Sequence, residues 1–153
     1  MTISEKDSLY NWHPYTQHKI YSHFPAIVKG KDEFLWDENG KKYIDGIASW
    51  WVNPFGHSNV LIADAIYKQL TTLEHVLFGG FTHNVVVELA EKLVEILPSN
   101  QRKFFYSDNG STAVEVAIKA SLQFHYNNVI KKNTIIAFED AFHGDTFGAM
   151  AVS

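Results

Sequence analysis

The sequence predicts an α/β protein in two parts: a small antiparallel meander, then the start of a mainly parallel, helix-flanked sheet. Three observations carry this. Over residues 26–46, Ala26-Ile27-Val28, Phe34-Leu35-Trp36 and Tyr43-Ile44 alternate with the turn signals Gly30-Lys31-Asp32 and Asp37-Glu38-Asn39-Gly40, as short strands joined by hairpins do. Further on, Lys103-Phe104-Phe105-Tyr106 and Thr134-Ile135-Ile136-Ala137-Phe138 are short apolar runs one helix-length apart. Strand, helix, strand is a βαβ unit, with parallel strands and a right-handed crossover. The third observation is helical periodicity in the segments between. The division expected is 1–57 for the N-terminal segment with its small sheet and aromatic loop, and 58–153 for the part that holds the βαβ unit.

Composition narrows the function. A chain of 153 residues with 46% hydrophobic residues is globular. Net charge is -4 with scattered Lys and Arg, so no basic stripe exists for nucleic acid or an anionic membrane. Zero cysteines exclude disulfides and thiolate chemistry. Short, interrupted apolar runs predict no membrane span, and a cytoplasmic location is expected.

In chain order, Ser4–Asn11 reads as a helix that ends before Trp12-His13-Pro14-Tyr15-Thr16, because Pro14 holds His13 extended. His13, His18 and His23 recur every five residues, a spacing that spreads side chains on a helix and alternates them on a strand, so no metal site is expected. After the meander, residues 47–57 form an aromatic loop in which Trp50 and Trp51, if extended, point to opposite sides. They either wall a pocket or plug a junction. Asn59–Glu74 is helical, with Ile62, Ile66, Leu70 and Leu73 on one stripe. His75–Phe81 breaks it with two glycines, and Asn84–Leu97 is the clearest helix, with Val86, Leu89, Ala90, Leu93, Ile96 and Leu97 inward.

The turn Asp108-Asn109-Gly110-Ser111-Thr112 then enters a helix over 113–126. A helix start offers free amides and the positive dipole end to an anion. Thr112 with Glu115 also fits an ordinary capping box, so a phosphate site and a plain capped helix both stand. Ala113, Ala117 and Ala120 form a narrow stripe suited to close packing on a sheet, with Glu115 and Lys119 paired on the wet side. Ligands of such sheets sit beyond the C-terminal strand ends, which places 108–112 and 139–146 on one rim. The second segment, Phe142-His143-Gly144-Asp145-Thr146, suits a flat, charged ligand.

Taken together, Trp12–Thr16, Ser49-Trp50-Trp51, His75–His83, Asp108–Ser111 through Glu115-Val116-Ala117, and His143–Met150 resemble the class III, fold-type I aminotransferases that depend on pyridoxal 5'-phosphate. The double tryptophan is similar to the subgroup acting in biotin synthesis. The resemblance implies that Gly110 and Ser111 bind the cofactor phosphate, that Phe142 stacks on its ring, and that His143 and Asp145 belong to the cofactor-side loop. It also implies Tyr15, Trp50 and Trp51 as the substrate wall, S-adenosylmethionine and 8-amino-7-oxononanoate as substrates, and a homodimer with the Phe78-Gly79-Gly80 loop at its interface. Phe142 stands where relatives commonly carry tyrosine, which keeps lysine or an ω-amine open as the donor. The family places its Schiff-base lysine far downstream of Ser153, so no catalytic residue is assigned here. The chain is expected to be the N-terminal portion of the enzyme, inactive and aggregation-prone alone; a noncatalytic binding role is the remaining alternative.

Overall fold

The computed structural model describes residues 1–21 and 23–153. The chain divides into two compact units, Met1–Leu77 and Phe78–Ser153.

In the first unit, α1 (Ile3–Tyr10) begins at a capping box: Thr2 Oγ1 accepts from the Glu5 amide, and the Glu5 carboxylate accepts from the Thr2 amide. Glu38 joins α1 to the meander by accepting from the Ile3 amide at 2.9 Å. The meander is an antiparallel sheet of β1 (Ile27–Lys31), β2 (Phe34–Asp37) and β3 (Lys42–Ile44) in the order β1-β2-β3. Both sequence-marked turns close it. Asp37 is buried and builds the second turn: one carboxylate oxygen accepts from the Asn39 and Lys41 amides, the other from the Tyr43 hydroxyl at 2.8 Å. The Tyr43 hydroxyl above all holds the Asp37 carboxyl below its ordinary range. Gly40, at φ +81°, completes the turn as glycine does where a β-carbon would be strained.

Residues 47–57 depart from the expected extended loop. Ala48–Trp51 form one turn, α2, and it is left-handed: φ is +47° at Ala48, +48° at Ser49 and +66° at both Trp50 and Trp51. The two tryptophans therefore do not alternate as in a strand. Helix α3 (Val60–Thr72) follows, and Asn59 caps it by accepting from the Leu61 and Ile62 amides.

The second unit contains α4 (Asn84–Ile96), α5 (Gly110–Asn127) and the short α6 (Phe147–Met150). Val86, Ala90 and Leu93 form the half-buried stripe of α4, while Leu89, Ile96 and Leu97, expected inward, are exposed. Phe78 meets Tyr106 edge to face at 6.2 Å, so the 103–106 run lies beside the start of this unit.

The βαβ expectation is corrected in detail. Neither 103–106 nor 134–138 forms a strand, and the meander holds all the strands among the described residues. A strand exists only through ladder bonds to a neighbour, and these runs have none among the described residues. Phe105, Ile136 and Phe138 are exposed as a result. Ala113, Ala117 and Ala120 are exposed, and the second unit has no strand among its described residues to cover them. Among the described residues, no helix is long and apolar enough to cross a membrane.

Candidate functional site

In the second unit the site is built at the start of α5. Asn109 is the N-cap: its side-chain oxygen accepts from the Thr112 amide at 2.9 Å, and the Asn109 amide donates to Thr112 Oγ1. This corrects the capping box read from Thr112 and Glu115; the box lies three residues earlier, so Gly110 and Ser111 are the first two helical residues. The Thr112 hydroxyl also donates to Asp108 at 2.7 Å and holds that carboxyl below its ordinary range. With the Ala113 amide bonded to Asn109 O, the amides of Gly110 and Ser111 have no partner among the described residues. A β-carbon at Gly110 would meet nothing within 4 Å. Two free amides with open space ahead, at the positive end of an 18-residue helix, suit a phosphate group.

Glu115 is not on a wet face with Lys119. Its carboxylate accepts from the Gly148 amide at 2.6 Å and from the Thr146 hydroxyl, and these bonds, the hydroxyl first, hold its carboxyl below the ordinary glutamate range. The Thr146 amide donates to Ser111 Oγ at 3.0 Å, and the two hydroxyls lie 2.8 Å apart. The Ser111 hydroxyl is thus engaged by both the amide and the hydroxyl of Thr146, and its amide is the group left for an anion. Gly144, at φ +114°, rests so closely on Ser111 that a β-carbon there would overlap it. The two segments expected on one rim do meet, joined by Ser111, Glu115, Gly144 and Thr146 in place of a shared sheet.

Phe142 is exposed and its ring is open to a flat partner; the His143 amide donates to Ser153 Oγ at 3.0 Å. Asp145 is exposed. Thus Gly110 and Ser111 adjoin the Phe142–Asp145 loop through Gly144 and Thr146.

In the first unit the other predicted residues come together as well. Tyr15, at φ +53° in the turn after Pro14, meets Trp50 edge to face at 5.4 Å and 85°. Both rings are largely exposed, and Trp51 is more so at 77%. Each left-handed residue with a β-carbon costs roughly 1–2 kcal/mol, so α2 needs external support. It comes from Asp45, whose two carboxylate oxygens accept from the Ser49 amide and hydroxyl at 2.9 and 2.6 Å. Bonds from Ser49 and His57 hold the Asp45 carboxyl down at about 2. His13 and His18, expected to diverge, instead approach to 5.8 Å between rings because a turn rather than a regular element joins them; no three candidate ligands cluster among the described residues.

Asn109, Glu115 and Thr146 stood in the segments marked from sequence, but their bonding roles were not read there, and Asp45 and His57 were not singled out at all. Asn109 had a local signal, an N-cap residue with Thr three positions on. The other four act through contacts 12 to 35 residues away or through an irregular turn, which no local pattern encodes.

The family model "Aminotransferase class-III" matches residues 15–153. The adenosylmethionine-8-amino-7-oxononanoate aminotransferase of Staphylococcus aureus is 48% identical over 156 residues, covering 98% of this chain and 34% of that protein. The crystal structure of the enzyme of the same name from Methanocaldococcus jannaschii superposes with a TM-score of 0.94 at 39% identity, over 98% of this chain and 35% of that one. A thermostable ω-transaminase variant from Pseudomonas jessenii superposes at 0.92 and 29% identity, again over 35% of its length. The chain therefore spans about a third of the length of these relatives.

Proposed function

This chain belongs to the class-III aminotransferase family, and we propose that it carries the cofactor-phosphate turn and the substrate wall of an aminotransferase of biotin synthesis. The reaction moves the amino group of S-adenosylmethionine to the carbonyl carbon of 8-amino-7-oxononanoate. The acceptor becomes 7,8-diaminononanoate and the donor leaves as its 2-oxo acid, so nitrogen and oxygen exchange places with no net oxidation. The observation that carries the reading is the junction of Ser111 with Thr146 and Gly144, which sets a loop bearing an open aromatic ring beside two free helix-start amides.

Pyridoxal phosphate, when bound, withdraws electrons from the carbon that loses its proton. The chain's own residues bind and orient. The Gly110 and Ser111 amides hold the phosphate, Phe142 covers the flat ring, and His143 and Asp145 complete the loop. Tyr15, Trp50 and Trp51 receive the substrates on an apolar wall. Lys119 lies nine residues into α5 from Gly110, about 13 Å along the axis, and is exposed; it is not placed to attach the cofactor. We therefore assign no proton-transfer role within residues 1–153. The division at 1–57 and 58–153, a homodimer, and a cytoplasmic location belong to the same reading.

The test is an assay of the enzyme carrying this chain, with S-adenosylmethionine and the oxo acid and detection of the diamine by mass. Diamine formation is expected, and the 153-residue chain alone is expected to give none. A second reading, an ω-amine or lysine donor, is favoured by Phe142 at a position commonly tyrosine and by the ω-transaminase likeness. Donors compared at equal concentration separate the two. No amino transfer from any of them overturns both.

A further inference from the structure

The left-handed turn Ala48–Trp51 is costly for four residues with β-carbons, and such a turn persists only where its surroundings fix it. What fixes it is a pair of side chains outside the aromatic wall. The Asp45 carboxylate accepts from the Ser49 amide at 2.9 Å and the Ser49 hydroxyl at 2.6 Å. The oxygen that takes the hydroxyl also takes His57 Nε2–H at 2.7 Å. The second ring nitrogen of His57 lies 3.3 Å from the Asn53 side-chain amide, which donates to it; with Nε2 as donor, Nδ1 is the acceptor.

Both partners are tied to the meander. The Asp45 amide donates to Glu33 O at 2.8 Å. His57 exchanges both backbone bonds with Asp32, at 2.8 and 3.1 Å. Its side chain lies so near Gly30 that a β-carbon there would sit 2.8 Å from His57 Cβ. The Asp45 and His57 side chains are 7% and 15% exposed, whereas Trp50 is 57% exposed. A shielded carboxylate–imidazole pair thus connects the rigid sheet to an open tryptophan that meets Tyr15 at 5.4 Å.

We propose that Asp45 and His57 are positioning residues: they hold the Ser49-Trp50-Trp51 turn left-handed and so fix the angle between Trp50 and Tyr15, the shape an apolar substrate reads. The functional half of the proposal rests on the assignment of Tyr15 and Trp50 to the substrate wall; the structural half does not.

The two halves are tested separately. The enzyme carrying this chain, labelled with 5-fluorotryptophan, gives one fluorine resonance per tryptophan, and those of the four tryptophans of this chain are assigned by single Trp→Phe variants. In Asp45→Asn and His57→Ala, the Trp50 and Trp51 resonances are expected to shift and broaden while that of Trp36, in β2, stays in place. His57→Gln, which keeps a donor toward Asp45, is expected to restore them in part. Unchanged Trp50 and Trp51 resonances in both variants overturn the clamp. So does concerted loss of the Trp36 resonance in both, because the pair would then support the sheet rather than the turn. In the enzyme carrying this chain, His57→Ala is expected to raise the KM of the oxo acid on the order of tenfold with kcat within about twofold. Shifted resonances with an unchanged KM overturn the functional half alone. Shifted resonances in an enzyme that transfers no amino group overturn the proposed function and leave the clamp standing.

Discussion

Single carboxylates do much of the local building in this chain, each by accepting from backbone amides that would otherwise be unpaired. Glu115 is the case with most consequence, because it takes the Gly148 amide and the Thr146 hydroxyl at the base of the proposed cofactor loop. Its folded value is depressed, so the stability it contributes is complete above the ordinary glutamate value of about 4.3 and is lost as pH falls through the lower folded value. Amide exchange protection at Gly148 should be flat above about pH 5 and decline below about pH 4. Glu115→Gln should remove that dependence; an unaltered profile in the variant would assign the decline elsewhere. Asn109 is the second test at this scale. Asn109→Ala leaves the Thr112 amide without its cap and should cost about 1 kcal/mol, read as a lower midpoint in a denaturant titration. An unchanged midpoint would mean another group caps α5.

At the scale of elements, the two irregular turns matter more than the regular helices. The left-handed turn α2 stores strain at Ala48, where no side-chain hydrogen bond is at stake. Ala48→Gly should therefore stabilise the chain by up to about 1 kcal/mol, because the roughly 1–2 kcal/mol of left-handed strain released exceeds the roughly 0.5–1 kcal/mol of extra glycine entropy, an inversion of the usual effect of glycine in a helix. A destabilised Ala48→Gly chain would mean that the turn is not left-handed in solution. The loop before α6 behaves oppositely, because Gly144 needs both its φ of +114° and the absence of a β-carbon against Ser111. Gly144→Ala should displace the loop from the start of α5. Affinity for pyridoxal phosphate in the enzyme carrying this chain should then fall by on the order of tenfold or more, measured by equilibrium dialysis. Retained affinity would separate the phosphate turn from the loop. The strands bear on this too: the meander closes because Asp37 and Gly40 build its turn locally, whereas 103–106 and 134–138 find no strand neighbour among the described residues.

For the whole molecule, exposure decides behaviour. Among the described residues Ala149 is the one fully buried apolar side chain, and the accessible surface is 13337 Å². Two separate compact bodies of half the 17.4 kDa mass would together expose roughly 9,500 Å². The excess includes Ile136, Phe138, Phe147 and Val129, each about nine-tenths exposed, and apolar surface on that scale drives association. Sedimentation of the 153-residue chain at micromolar concentration should show self-association with strong binding of a hydrophobic dye. A monomer with a cooperative melt and no dye binding would contradict this.

The sequence by itself determined what is local: the meander and its turns, the helices within a few residues of their ends, and a family resemblance in which residues 108–112 and 142–146 stand out as chemistry-bearing. Those features depend on residues adjacent in the chain, where turn residues, periodicity and caps leave a pattern. Tertiary structure alone decided how the segments are joined. Glu115, placed by periodicity on a wet face, reaches 33 residues along the chain to Gly148, and Ser111 reaches 35 to Thr146. Asp45 and His57, twelve residues apart, hold a left-handed turn that no propensity favours. Such contacts arise where distant backbone amides need acceptors and a nearby carboxylate or hydroxyl supplies one. That pairing depends on how the chain returns on itself, and for this reason the residues proposed to face the ligand were named from the sequence while the contacts that join their segments were not.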